Sequence, residues 1–438
     1  MDYVRQLENQ LKEYMCKERE NLQIKGWYFG INESVSIKAG VKNNHLGGVY
    51  SSPKAEEAMR GKLSIIWQDN RRSIVSLDST TPQQFKGLID TWRRSSYRDE
   101  QAAMIYKADD YPEVNLFDEE IYKLVHEDKS FIFDTLEQYV KELVDKGIKH
   151  VNASVSASSY HHHIRNSLGL EISNKATSFS TYVYGDETFG SSYLRRRLIN
   201  QRELEHLINY TASNVNQLRD RGVIEDGEKE VLLLPHVAEA FIGNYLLNNF
   251  KGSQIYNNRS AFSKDDFQNN KSIMKEDFYL TLDTTKDFGQ GSYISTYEGV
   301  PGGVVNLVEK GKIQSPILDL KYSNLMDLKP TPLPAGRGSS RLYSVNMKTF
   351  EELIEQIEDG IIVCDLLGMH TQDPTSGNYS LTAPNCIRVR KGEIIGACKA
   401  VISGNFFENI KQPTTELGLL PYEDQPCILM RSKITGEK

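Results

Sequence analysis

The chain has 438 residues, 39% hydrophobic, with 59 acidic against 52 basic side chains and a net charge of −7. Such a length allows two domains with ample core, and mild acidity without a basic stripe argues against a dedicated nucleic-acid surface. No apolar run approaches the roughly 20 residues that span a bilayer, and Met1 to Glu20 is charged throughout without a signal core, so a cytoplasmic location is expected.

Val4, Leu7, Leu11 and either Tyr14 or Met15 fall at helical spacing, which predicts an amphipathic helix over 3–20. Short β-rich runs follow at 27–30, 34–38 and 62–67, the last joined to 73–77 through Asp69-Asn70 as a hairpin. Thr81-Pro82 opens a helix reaching Trp92, with proline in the first turn. Phe131, Leu136, Val140 and Leu143 give a helical face over 131–144. Strands are predicted at 151–156, 161–166 and 177–184, then a helix at 203–221. Residues 222–230 are polar and turn-rich, and the domain boundary is placed there, giving an N-terminal α+β domain (1–222) and a β-rich C-terminal domain (223–438).

In the second half, Val231 to Leu234 reads as a buried strand and Pro235 as the start of a helix to Phe250. A strand at 278–282 and hairpins across Lys310-Gly311 and Lys391-Gly392 follow. Thr349-Phe350-Glu351-Glu352 is a capping box whose helix is expected to stop at Gly360. The predicted class is α+β, with the C-terminal half a mainly antiparallel curled sheet or barrel.

Candidate chemistry is sparse. The five cysteines (Cys16, Cys364, Cys386, Cys398, Cys427) form no C-x-x-C pair, which suits unpaired thiols in a reducing compartment. His161-His162-His163 places alternate imidazoles on one face of a strand, so His161 and His163 can converge, but a metal would need further ligands from elsewhere. The single His-Glu pair, His126-Glu127, lacks a second histidine one turn on. His236 and Glu239, at i and i+3, could share a metal with a distant cysteine. No G-x-S-x-G is present, and the glycine-rich runs lie outside strand–turn–helix units. No catalytic and no metal-binding residue is therefore assigned.

Beyond these, the loop 364–381 carries His370-Thr371-Gln372-Asp373-Pro374-Thr375-Ser376-Gly377, whose Asp-Pro and Ser-Gly pairs fix turns. This run resembles the signature loop of the TldD/PmbA family, in its PmbA (TldE) form. Asn166-Ser167-Leu168-Gly169-Leu170, Arg259-Ser260-Ala261-Phe262, Tyr297-Glu298-Gly299-Val300-Pro301 and Gly404-Asn405-Phe406-Phe407 also match the family. Its members are known as zinc metallopeptidases and as modulators of DNA gyrase, and the TldD branch carries a His-Glu-x-x-x-His helix. In this sequence the corresponding positions fall near Gly243, Asn244 and Asn248, and His236 is the only histidine between His206 and His370. The resemblance thus implies a subunit without a cofactor of its own, pairing with a zinc-bearing TldD-like chain, or with itself, to process unfolded or small peptides. His370, Thr371, Asp373, Ser376 and Asn378 are the expected peptide contacts. A peptidase with an atypical metal site and a non-enzymatic regulator of gyrase are the alternatives.

Overall fold

The computed structural model describes residues 2–16, 22–47 and 52–437. The first helix, α1 (Asp2–Met15), buries Val4, Leu7, Leu11 and Tyr14, as their spacing predicts. Residues 17–20 of the predicted helix lie outside the described residues.

Eight strands then build one antiparallel sheet: β1 (Ile24–Lys42), β2 (His45–Leu46), β3 (Lys54–Trp67), β4 (Arg71–Leu77), β5 (Tyr97–Arg98), β6 (Val151–Asn166), β7 (Glu171–Gly185) and β8 (Phe189–Arg195). They lie in the order β5-β4-β3-β1-β6-β7-β8, with β2 paired to β1. Two pairs of short strands expected from the sequence are single long ones. The runs 27–30 and 34–38 join in β1, and 151–156 and 161–166 join in β6. The polar pairs Asn32-Glu33 and Ser158-Ser159 lie in the interior of these strands. The ladder runs through them because both flanking strands satisfy the backbone whatever the side chains.

One face of this sheet carries two separate helix pairs. At one end α1 and α2 (Thr81–Arg94) cover Trp27, Phe29, Ile31, Leu63 and Ile65, all essentially inaccessible to water. At the other end α3 (Glu119–His126) and α4 (Ser130–Asp145) cover Ile37, Ala39, Val41, Val155 and Phe179, with α5 (Gln201–Gln217) beside them. Each buried Val, Leu, Ile or Phe among them contributes about 1.5–3 kcal/mol by leaving water. The buried face of α4 is Ile132, Leu136, Tyr139 and Leu143, rotated from the predicted one. Phe131 and Val140 lie at its margin, because Tyr139 reaches inward to bond Thr181 Oγ1 at 2.9 Å.

The C-terminal half begins with β9 (Gly227–Leu233). A four-stranded sheet follows, from β10 (Phe278–Asp283), β11 (Val304–Glu309), β12 (Lys312–Ile313) and β13 (Ser340–Ser344). The remaining strands are β14 (Lys348–Thr349), β15 (Asp359–Val363), β16 (Asn378–Arg390), β17 (Glu393–Asn405), β18 (Glu416–Leu419) and β19 (Cys427–Glu437). Strands β9, β15, β16, β17 and β19 pair in that order, and β19 pairs back onto β9, closing a five-stranded barrel. Closure leaves no free edge among these strands. Leu232, Ile362 and Leu429 pack toward the first sheet's helices, while Val231, Ile361 and Ile428 pack toward the barrel's own core. Burial on both faces explains the unbroken apolar run 231–234.

The capping box at Thr349 forms as predicted, with Thr349 N–H donating to Glu352 Oε2 at 2.7 Å. Its helix, Phe350–Glu355, stops before Gly360, which instead lies in β15. A Cβ there would fall 2.1 Å from the Glu230 carbonyl oxygen, so glycine is required by strand pairing rather than by a helix stop. The matched segment 297–301 docks onto the other face of the first sheet, where Tyr28 donates to Glu298 Oε1 at 3.2 Å and Arg72 lies 3.7 Å from it. Among the described residues no helix is long and apolar enough to cross a membrane.

Candidate functional site

Pro235 opens α6 (Pro235–Phe241), which runs on through a π-helical stretch (Ile242–Leu247) to Phe250. The extra residue per turn re-aims the side chains that follow, a feature often found at functional sites. Gly243, Asn244 and Asn248 all lie in or just after this wide turn. Asn244 Nδ2 is shielded from solvent without a hydrogen-bond partner among the described residues.

The loop 364–378 sits directly over this helix and is held in one shape. Thr371 N–H donates to the Gly368 carbonyl at 3.1 Å, and Gln372 Nε2 donates to the same oxygen at 3.2 Å. Asp373 Oδ1 accepts from Thr375 N–H at 2.9 Å and from Thr375 Oγ1 at 2.8 Å, which holds its carboxyl below the usual carboxylate range. Asn405 Nδ2 donates to the Ser376 carbonyl and to Asn378 Oδ1, at 2.8 and 2.9 Å. The helix clamps the loop from beneath: Tyr245 donates to the Asn378 carbonyl at 3.0 Å and Asn249 Nδ2 to the Pro374 carbonyl at 2.8 Å. Below these bonds Phe241, Tyr245, Tyr379 and Phe406 form an aromatic cluster with centroids 5.1–5.8 Å apart. The side chains of His370, Thr371, Asp373, Ser376 and Asn378 are all exposed, along one rigid rim.

Asn249 is the residue that sequence reasoning missed. It is completely buried, and besides Pro374 its amide donates to the Tyr245 carbonyl at 2.9 Å and accepts from Ala261 N–H at 2.7 Å. One side chain therefore ties the helix, the loop and the segment 259–262 together. A polar amide on the apolar side of the helix was the available signal, since buried amides are held by partners.

His236 and Glu239 do not converge on a cysteine. His236 Nε2 lies 2.9 Å from the Cys364 carbonyl, to which it can only donate, so that nitrogen has no lone pair for a metal. Glu239, half-buried, lies 3.4 Å from Arg337; burial raises its pKa while the guanidinium opposes the shift. Both residues line a polar cleft of about 310 Å³ between barrel and first sheet, where Asp424 pairs with Arg195 at 2.7 Å and with Lys286 at 2.5 Å.

The three histidines occupy the first sheet. His161 and His163 share a face, with ring centroids 4.1 Å apart, and His162 points the other way and stacks on Tyr160. Register brings Glu33 on β1 directly opposite His161. Glu33, His161 and His163 hold their candidate ligand atoms within 4.8 Å of one another. Burial, with His161 and Arg165 adding positive charge nearby, pushes the His163 imidazole down to about 4. His126, exposed at the last position of α3, lies 2.8 Å from Ser159 Oγ through its Nε2.

Comparison with known proteins joins the C-terminal part of the chain to a family. Residues 226–417 match the family model described as the PmbA/TldA metallopeptidase C-terminal domain. This region is a TldD/PmbA-family domain. The whole chain shares its fold with TldE from Thermococcus kodakarensis, with a TM-score of 0.83 over 98% of this chain and 100% of that one at 19% identity. A Thermotoga maritima protein described as a proposed modulator of a DNA gyrase aligns with a TM-score of 0.82, over 99% of this chain and 100% of its own, at 15% identity. An uncharacterized protein of Methanocaldococcus jannaschii is 22% identical over 255 residues, 56% of this chain. The alignment spans 59% of that relative's length. Within the TldD/PmbA domain, the matched loop and the helix beneath it form one hydrogen-bonded unit.

Proposed function

We propose that this chain is a PmbA/TldE-like subunit that helps to bind unfolded or small peptides for cleavage at a zinc site supplied by a TldD-like partner. The observation that carries this reading is the substitution of Gly243, Asn244 and Asn248 into the helix beneath the signature loop. Amides and a glycine offer neither imidazole nor carboxylate to a metal, and none of the three can activate water as a general base. The helix and the loop above them nevertheless form one hydrogen-bonded unit, which fits a role in shaping a shared substrate channel. The rigid rim of His370, Thr371, Asp373, Ser376 and Asn378 presents fixed polar groups to which an extended peptide can bond through its main chain.

The test mixes the purified chain with a TldD-type protein and follows cleavage of unstructured peptides, with and without chelator. Chelator-sensitive activity well above that of either protein alone is expected. Equal activity from the TldD-type protein by itself would rule out the partner role.

A further inference from the structure

We propose that Glu33, His161 and His163 form a binding site for a divalent transition-metal ion, with zinc as the reference cation, on the floor of the cleft in the first sheet. The site is remote in sequence from the helix positions discussed above, and it stands or falls independently of the partner role.

The argument begins with where these residues lie. Along β1 the covered face reads Trp27, Phe29, Ile31, Glu33, Val35, Ile37, Ala39. Glu33 is the one charged side chain in an otherwise apolar stripe, at the point where one helix pair ends and the other has not begun. The gap is a cleft of about 530 Å³, lined by Glu33 and His161 from the sheet and by Tyr122 and His126 from α3. His163, only 4% exposed, lies beyond His161 on the same face.

Hydrogen-bond accounting leaves ligand capacity unused. Ser173 Oγ lies 2.9 Å from His161 Nε2 and 3.2 Å from His163 Nδ1. One hydroxyl therefore orients both rings in the manner of an outer-shell partner, leaving the second nitrogen of each ring for a cation. Among the described residues no hydrogen bond or ion pair engages the Glu33 carboxylate. Two imidazoles and a carboxylate are a known zinc set that keeps a fourth position open. A tetrahedral ion with bonds of about 2.0–2.1 Å needs its ligand atoms about 3.4 Å apart. The candidate ligand atoms lie within 4.8 Å of one another, and the proposed site requires Glu33 and His161, both half-buried, to draw inward on binding.

Two cations that face the site are already engaged. Arg165, next on the same face, pairs with Glu171 at 2.8 Å and reaches Glu8 at 4.0 Å. Lys175, opposite His161 on β7, places its ammonium over the Phe117 and Tyr122 rings at 5.6 and 5.4 Å. Glu57, which also lines the cleft, adds negative charge.

The full-length chain, stripped with chelator and dialysed, is titrated with zinc chloride by calorimetry and with cobalt chloride by visible absorption. One equivalent of zinc per chain is expected, with cobalt bands reporting nitrogen and carboxylate ligation. His161→Ala and Glu33→Gln, both at half-buried positions that tolerate change, should each weaken zinc binding at least tenfold. Cys16→Ser, which removes an exposed thiol, and His236→Ala should leave binding unchanged. Circular dichroism of each variant separates loss of ligand from loss of fold. Absence of saturable binding, or affinity that survives both His161→Ala and Glu33→Gln, overturns the proposal.

Discussion

The first sheet and the C-terminal barrel solve the same burial problem in opposite ways. The barrel closes on itself, and β9 and β15 are apolar on both faces, so polar chemistry is pushed out into the connection between β15 and β16. The sheet stays open and is covered by two helix pairs that do not meet, so its polar groups collect inside the gap on the strands themselves. Closed sheets therefore display function on loops, whereas a partly covered sheet can hold it in mid-strand.

The comparison can be broken first at the barrel. Asn249→Leu removes three hydrogen bonds from a fully buried site and leaves the Pro374 and Ala261 backbone groups without their partner. A loss of about 2–4 kcal/mol is expected from urea denaturation; an unchanged midpoint would show that the loop does not depend on the helix.

A smaller loss is expected where the two regions meet. An added Cβ at Gly30 would fall 2.1 Å from the Tyr297 ring, in the segment that docks onto the sheet. Gly30→Ala should cost about 1–3 kcal/mol through overpacking. If thermal unfolding is unaffected, Tyr297 moves aside and the docking is looser than its geometry implies.

Exposed rim residues should alter activity rather than stability. Replacing His370 and Asn378 by alanine together should lower peptide cleavage by the mixed complex about tenfold, the equivalent of about 1.4 kcal/mol of lost peptide contacts, with only a small drop in melting temperature from losing the Asn378–Asn405 bond. Undiminished cleavage would remove these side chains from the substrate path.

The smallest effect belongs to Asp373. Its folded-state pKa is depressed by the bonds from Thr375, so its contribution is present above the unfolded value near 3.8 and lost as pH falls through the folded one. Because the side chain is exposed, Asp373→Asn should cost only about 0.5 kcal/mol at neutral pH. Hydrogen exchange at the Thr375 amide is the sensitive readout, and unchanged protection there would show that the turn holds without the carboxylate.

Much of this organisation was legible from residue order alone. The periodicity of α1, the proline at the start of α6, the capping box at Thr349 and the turn residues of the signature loop each act through neighbours within a few positions, so local sequence determined them. The apolar run 231–234 likewise announced a strand buried on both sides. What only the tertiary structure decided was long-range register. Nothing within β1 marks Glu33 as opposite His161, 128 positions away, and nothing local tells that Asn249 lies under Pro374. The length of β1 and β6 was hidden for the same reason, since a strand's polar breaks are tolerated only when partners on both sides complete its backbone hydrogen bonds. Strand pairing between distant segments fixes which side chains meet, and that is a property of the whole fold rather than of any window along it.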